Sequence, residues 1–423
     1  MDKNLYTDSE SLAIFMPLSE DYAVELALKL TADPDGEQVN LMRADLFSEI
    51  AERAELSAQP IVGDAWKNLI FELLLEGDNV FAKKSECVPL SEMGASLVAQ
   101  VRRELLIIKR IADIDMTELL PDYPSMKDFA PKKIVCLNKN REELKKKLLE
   151  SDDWTEILAD YFLRNGSGIF GMYRAFRWLS HAEEGEKFCG VEQPDPITLA
   201  DLTEYAWQRE AVRRNTLKLL KGLPANNMLL YGDRGTGKSS TVKAMLNEFS
   251  EEPLRLMEVF KEDIVDLPEI LSVLRNRPEK YILFIDDFSV EENESGYKTL
   301  KAILEGGIEA RPQNVVLYAT SNRRNLIRER FSERGPQSDD VNPEDTQAEK
   351  LSLSDRFGMK IPFLSPSKDE YLNIVRALAA KRGIEVDEAM CKKAMNWQIA
   401  RSGRAAKQFV DFIAGEMGLD AEE

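Results

Sequence analysis

Apolar residues recur at three- and four-residue intervals through Ala23–Leu30, Leu46–Leu56, Ala65–Leu75 and Leu97–Ile111, the spacing that lays one face of a helix against a core. Trp154–Leu163 keeps the same period, so residues 1 to about 195 are expected to be helical. The proline-rich stretch Pro121–Pro131 (PDYPSMKDFAP) predicts a turn-like joint that divides this region in two parts. Glu142–Glu150 is a charged helical segment and reads as a solvated face. From about Ile197 the period changes. Asn227–Tyr231, Leu254–Phe260, Tyr281–Asp286, Val315–Ala319 and Met359–Phe363 are short β-rich runs. Lys238–Phe249, Leu267–Leu274, Tyr297–Glu309 and Asn325–Arg334 lie between them with helical periodicity. Such alternation predicts an α/β region whose parallel sheet carries helices on both faces. After Ser365 the pattern is helical again, through Lys368–Arg382, Asp387–Trp397 and Arg404–Met417. The expected division is 1–195, 196–365 and 366–423. Gly335–Glu349, acidic and almost without apolar residues, is expected to be a mobile loop.

Composition narrows the class. A chain of 423 residues corresponds to about three domains at roughly 150 residues each. Its net charge of −19 and pI near 4.8 argue against a nucleic-acid-coating protein, which would cluster Lys and Arg against phosphates. The four cysteines (Cys87, Cys136, Cys189, Cys391) form no CxxC pair, which predicts reduced, buried thiols in place of a disulfide framework or zinc knuckle. His181 is the sole histidine, too few for a multi-histidine metal site. The apolar stretch Leu12–Leu18 follows the mildly acidic MDKNLYTDSE and has no basic region before it, so it does not read as a signal peptide. No run approaches the ~18 apolar residues of a membrane span. The expectation is a soluble, cytoplasmic protein.

The sharpest chemical signal is Gly232-Asp233-Arg234-Gly235-Thr236-Gly237-Lys238-Ser239, a full match to GxxxxGK[ST] followed by Ser240. An apolar run precedes it and a helical run follows, the order needed to turn backbone N–H groups and a helix N-terminus toward phosphates. Lys238 is expected to neutralise the β and γ phosphates and Ser239 to ligate Mg²⁺. Further along, Tyr281–Ile285 is an apolar strand ending in Asp286-Asp287. Asp286 would hold Mg²⁺, usually through water, and Asp287 would polarise the attacking water. A third apolar strand, Val315–Ala319, ends in Thr320-Ser321-Asn322, where Asn322 can hydrogen-bond a phosphate or the water without adding charge. Arg356 (in LSDRFG) and Arg404 (in RSGR) are candidates to stabilise transferring phosphate. Arg323, Arg324, Arg328, Arg330 and Arg334 compete with Arg356. Gly166-Ser167-Gly168-Ile169-Phe170-Gly171 satisfies GxGxxG but follows a helical segment. A dinucleotide site requires a strand there, so this stretch reads as a flexible joint.

Taken together, GDRGTGKS, YILFIDD, VVLYATSN, LSDRFG and SGRAAKQF resemble the motifs of an AAA+ ATPase in the expected order. The chain also resembles the bacterial AAA+ family called domain of unknown function 815, through Gln208-Arg209-Glu210, Asn215-Thr216, PANNMLLY, Glu309-Ala310-Arg311-Pro312 and Ser321-Asn322-Arg323-Arg324. The resemblance covers roughly residues 165–415. It implies an αβα-sandwich P-loop NTPase with a parallel sheet ordered 5-1-4-3-2 and a C-terminal helical lid, behind a helical N-terminal region. It also implies ATP and Mg²⁺ as ligands and assembly into homo-oligomeric rings or filaments. By the same resemblance Asn322 is sensor 1, Arg356 the arginine finger supplied to a neighbouring subunit, and Arg404 sensor 2.

One departure matters. Most AAA+ proteins carry Asp-Glu where this chain has Asp286-Asp287. The shorter carboxylate stands about one bond further from the water, and a misplacement near 1 Å costs up to ~100-fold in rate. Slow hydrolysis is therefore expected, with Glu291 or Glu292 as compensating candidates. The leading expectation is an ATPase that switches a protein partner bound through its N-terminal helices. The alternatives are an ATP-binding assembly module with little hydrolysis, and a DNA-associated loader accessory supported only by the arginines of 323–334.

Overall fold

The computed structural model describes residues 4–36, 38–57, 60–128, 139–183, 187–288, 295–305, 311–322, 353–397 and 401–420. The expected helix Asn325–Arg334, the loop Gly335–Glu349, the arginines of 323–334, Glu291, Glu292 and Cys136 lie outside these residues. The chain divides into two compact units. One comprises Met1–Arg174 with Gly190–Gln193 and Asn276–Glu279; the other holds the remainder.

The first unit is helical. Its longer helices are Tyr22–Ala32, Val39–Glu55, Ala65–Glu76, Val80–Cys87, Ala95–Ala112, Lys139–Glu150 and Thr155–Asn165. Their starts follow local chemistry. Asp21, Asp64 and Asn79 accept hydrogen bonds from first-turn N–H groups, which satisfies donors that the helix itself cannot pair. The apolar faces meet in one core that contains Trp66, Phe71, Phe81, Ile108 and Phe162. Trp66 also donates its indole N–H to the Ile111 carbonyl at 2.9 Å. The N-terminal apolar stretch belongs to that core, with Leu12, Phe15 and Leu18 buried in it. It is pinned by the fully buried Glu104 carboxylate, which accepts the N–H groups of Ala13, Ile14 and Phe15 at 2.9–3.1 Å. Tyr123 and Met126, from the stretch expected to be a joint, pack on the same core.

The GxGxxG stretch is packed instead of being an open joint. Gly166 adopts φ 78°, and a Cβ there would lie 1.7 Å from a carboxylate oxygen of Glu279, so only glycine fits. Ser167 donates its N–H and hydroxyl to Glu86 Oε1 at 2.8 and 2.5 Å. Arg277 completes the cluster. It pairs with Glu86 at 2.8 Å and with the fully buried Glu279 at 3.3 Å, and its guanidinium lies 4.0 Å over the Phe170 ring. Burial raises the Glu86 carboxyl above its ordinary value despite Arg277.

The second unit is built on a seven-stranded sheet in the order β2-β1-β4-β5-β6-β3-β7. The strands are β1 (Ala175–Trp178), β2 (Phe188–Gly190), β3 (Met228–Gly232), β4 (Leu254–Glu258), β5 (Lys280–Ile285), β6 (Val315–Ser321) and β7 (Met359–Phe363). From β1 across to β7, neighbouring strands pair parallel. β5 and β6 are buried almost throughout, as expected of strands covered on both faces. β1 and β2 correct the expectation of helix to residue 195. Phe176 and Trp178 of β1 are each 1 % exposed. A run of four residues carries too little period-two signal to be read without β4 beside it. The cysteine expectation is also corrected in part. Cys87 and Cys189 are exposed, and Cys391 alone among the described cysteines is buried.

Beyond β7 the helices Lys368–Ala380, Glu388–Trp397 and Gly403–Asp420 pack on each other through Tyr371, Val375, Ala394, Ala406 and Phe409. Ser367 and Glu370 close the first of them with a reciprocal capping box. Among the described residues no helix is long and apolar enough to cross a membrane.

Candidate nucleotide-binding site

β3 runs into the glycine-rich loop, and the helix Lys238–Glu248 leaves it. The turn at Gly232 is enforced by a close backbone approach. Its φ is 136°, and a Cβ would sit 2.0 Å from the Phe363 carbonyl oxygen of β7. Asp233 fastens the loop on the same side. Its N–H donates to that carbonyl at 3.0 Å, and its carboxylate accepts the N–H and hydroxyl of Ser365, both at 2.7 Å. Those bonds hold its carboxyl below the usual range. Thr236 donates to the Asp233 carbonyl at 2.9 Å. Arg234 is exposed and Ser240 half-buried.

Lys238 is 6 % exposed. Its ammonium donates to the carbonyls of Gly232 (3.0 Å) and Asp233 (2.7 Å) and to Asn322 Oδ1 (3.1 Å). All three acceptors are neutral oxygens. Burial pushes the lysine below its ordinary pKa, opposed in part by Asp233, Asp286 and Asp287. A buried ammonium facing only neutral acceptors gains strongly from an anion.

The second motif converges on the same place. Asp286, just past β5, accepts the Ser239 and Thr320 hydroxyls on Oδ1, both at 2.5 Å. Asp287 adopts φ 48°, a left-handed conformation that Asp tolerates better than most residues. Its N–H is held by Thr320 Oγ1 at 2.9 Å and Asp286 Oδ1 at 3.1 Å, and its carboxylate accepts the Asn322 amide. Lys238, Ser239, Asp286, Asp287 and Asn322 thus form one connected cluster at the carboxyl ends of β3, β5 and β6. Thr320 bridges both acids. It was legible only as part of an apolar strand's polar end, and pairing of β5 with β6 gives it this role.

The arginines are placed differently. The Arg404 backbone N–H donates to the Gly235 carbonyl at 3.1 Å, so the last helix begins against the phosphate loop with the Arg404 side chain exposed. Arg356 takes an ion pair within its own chain, with Glu305 at the end of the helix Ser295–Glu305.

Other residues of the resemblance build structure. Asn215 donates to the Asn226 carbonyl at 2.8 Å and to the Tyr318 hydroxyl at 3.0 Å, with Thr216 also 3.0 Å from that hydroxyl. Burial raises the Tyr318 hydroxyl to about 12. Arg311 donates to Asn227 Oδ1 (2.6 Å) and the Ala225 carbonyl (2.8 Å). Gln208 reaches the Pro362 carbonyl, and Arg209 the carbonyls of Leu199 and Leu202. Asn215 and Arg311 hold Ala225, Asn226 and Asn227 at the entry to β3, and Gln208 ties the helix Ala206–Leu220 to β7.

The donor set fits the ligands that the motifs imply. A hydroxyl and a carboxylate side by side, Ser239 and Asp286, are the hard oxygen groups that Mg²⁺ takes. The buried lysine and the helix N-terminus suit phosphate. A parallel α/β sheet with this loop between β3 and its following helix fits a P-loop NTPase.

No curated protein matches the chain. Among solved structures, the Thermotoga maritima RuvB Holliday junction branch migration motor is similar at 16% identity, covering 53% of this chain and 67% of that one, with a TM-score of 0.39. The FIGL-1 AAA domain in complex with ADP is similar at 16% identity, covering 50% of this chain and 70% of that one, with a TM-score of 0.36. The profile of the family described as "Protein of unknown function (DUF815)" matches residues 171–417. That span exceeds half of the chain and contains the loop, the acidic pair, Asn322 and both arginines, so the chain belongs to this family.

Proposed function

We propose that the protein is a Mg²⁺-dependent ATPase of AAA+ type whose slow hydrolysis switches a protein partner engaged by the N-terminal helical unit. The observation that carries this reading is the convergence of Lys238, Ser239, Asp286, Asp287 and Asn322 through direct hydrogen bonds. In this reading residues 232–240 cradle the phosphates, and Lys238 exchanges its neutral acceptors for charged phosphate oxygens. Ser239 and Asp286 hold Mg²⁺, which when bound supplies positive charge to the phosphate oxygens. Asp287 orients and polarises the attacking water, and Asn322, bonded to both Lys238 and Asp287, sets the distance between phosphate and base. The Arg404 side chain senses the nucleotide from the C-terminal helices, residues 366–423 acting as a lid.

Arg356 acts on a neighbouring copy in a ring or filament. Its pairing with Glu305 in the single chain makes that role conditional on assembly, which must displace the carboxylate. An assembly module with little turnover is the second reading. It is favoured by Asp287, a short acid whose carboxylate is already engaged by Asn322. The net charge of −19 weighs against action on DNA, and the proposed setting is the cytoplasm.

Lys238→Ala tests the core of the reading. It should weaken Mg-ATP binding at least about 100-fold by calorimetry, since a charge-assisted contact to the β and γ phosphates is lost. Unchanged affinity would reject the site.

A further inference from the structure

The helical unit holds a cleft of about 470 Å³ bordered by the helices Val39–Glu55 and Ala65–Glu76, within the size range of small-ligand sites. Its floor is an ionic network. Glu72 pairs with both Arg141 and Lys145, Lys145 donates to Asn68 at 3.0 Å, and Arg141 lies 3.5 Å from Glu76. At the rim Arg53 pairs with Asp21 at 2.8 Å and Glu49 at 3.4 Å. The floor explains itself as structure: two buried cations on the helix Lys139–Glu150 lock onto Glu72 of the helix Ala65–Glu76.

Around this lock, carboxylates outnumber cations. Three cations (Arg53, Arg141, Lys145) stand among five carboxylates (Asp21, Glu49, Glu72, Glu76, Glu192). Each cation is already bonded to a carboxylate. The side chains of Arg141 and Lys145 are 2 % and 1 % exposed, beyond a ligand's reach. Glu76 differs. Its side chain is 43 % exposed, yet surrounding protein raises its carboxyl above the ordinary value. Glu76 lines the cleft itself. Glu192 lines the same space from a separate segment of chain and is exposed. Leu56, Leu73, Met172 and Tyr173 add apolar lining to the same cleft.

We propose that this cleft binds an organic cation, an ammonium or guanidinium head on an aliphatic stem, with Glu76 and Glu192 receiving the head and the leucines and Met172 covering the stem. An anion is disfavoured because every cation in reach is already paired. A neutral apolar ligand would cover Glu192, and Glu76 beyond its 3.5 Å contact with Arg141, without offering either a hydrogen bond. The head could belong to a free alkylamine or to a lysine side chain on another protein; the chemistry recognised is the same. This inference is independent of the nucleotide site.

The test uses the full chain and matched probes that differ only in the head: pentylammonium, pentanol and hexanoate, titrated by calorimetry and by ligand-observed NMR. Pentylammonium should bind saturably at millimolar concentration or below, and the other two should not. Glu76→Gln and Glu192→Gln should each weaken it about tenfold, the effect of losing roughly one charge-assisted contact, with far-UV circular dichroism unchanged. If Glu76→Gln unfolds, the exposed Glu192→Gln carries the test. Absence of saturable binding, equal binding of pentanol or hexanoate, or full affinity in the folded glutamine variants would overturn the proposal. 1,5-Diaminopentane and Nα-acetyl-lysine-N-methylamide then separate the sources. Tighter binding of the diamine supports a free amine, and tighter binding of the lysine analogue supports a protein side chain.

Discussion

Thr320→Val probes the turn that aims Asp287, the base of the proposed reaction, with almost no change of shape. The threonine is 1 % exposed, so its hydroxyl has no water to replace its partners. It donates to the Asp286 carboxylate at 2.5 Å and accepts the Asp287 N–H at 2.9 Å. A hydrogen bond to a charged group contributes about 1.5–3 kcal/mol and a neutral one about 1 kcal/mol. Asp286 still reaches the Asp287 N–H at 3.1 Å, so part of the second bond is retained. The expected loss of stability is about 2–3 kcal/mol. The effect on function follows from the left-handed turn at Asp287 (φ 48°), which costs about 1–2 kcal/mol for a residue with a Cβ. Without Thr320 the turn relaxes and carries the Asp287 carboxylate with it. A displacement near 1 Å costs about 100-fold in rate. Lys238 makes no bond to Thr320, so ATP affinity should change by less than about threefold, a fraction of a decade on the free-energy scale. Phosphate release at saturating ATP, calorimetric affinity and urea unfolding measure the three quantities separately. Thr320→Ser keeps the hydroxyl and should recover most of the rate. Parent-like turnover in Thr320→Val, or a serine variant as impaired as the valine, would refute the reasoning.

Asp287→Asn should bind ATP with near-parent affinity while turnover falls at least about 100-fold; parent-rate phosphate release would move the base elsewhere. Arg356→Ala should retain ATP binding and lose any rise of specific activity with protein concentration. Mixed with Lys238→Ala subunits it should regain turnover, because each variant supplies what the other lacks; no rescue would indicate a self-contained monomer. Arg277→Gln strands Glu86 and the fully buried Glu279, at a cost of about 3–5 kcal/mol near neutral pH. Burial already raises the Glu86 carboxyl, and removing its cation raises it further. A carboxyl with a raised folded pKa costs stability as pH climbs above its unfolded value and is relieved on protonation. The deficit of Arg277→Gln should therefore be largest at pH 7 and shrink as pH falls toward 5, and thermal unfolding at both values would expose a flat profile.

The chemistry of the site was written in local order. A glycine-rich loop, lysine and serine between a strand and a helix can be recognised in eight consecutive residues, because the backbone that cradles phosphate is continuous. The apolar runs that became β3, β5 and β6 were legible for a related reason. A parallel strand buried on both faces leaves an unbroken apolar stretch that few other structures require. The helices of the first unit and of the C-terminal region announced themselves through their period.

What the sequence could not decide was partnership across distance. Thr320 looks like any small polar residue at a strand end until β6 pairs with β5 and sets its hydroxyl between two acids. β1 is four residues long and becomes a strand only because β4 lies beside it. Gly166-Ser167-Gly168 carried the letters of a nucleotide fingerprint, whereas its glycine is required by Glu279, more than a hundred positions later in the chain. Nothing in the residues around Arg356 pointed to Glu305, its partner within the chain. Short-range geometry is encoded in neighbouring residues. The identity of a buried charge's partner is settled only when the chain closes and brings carboxylates that are distant in sequence within reach of a cation.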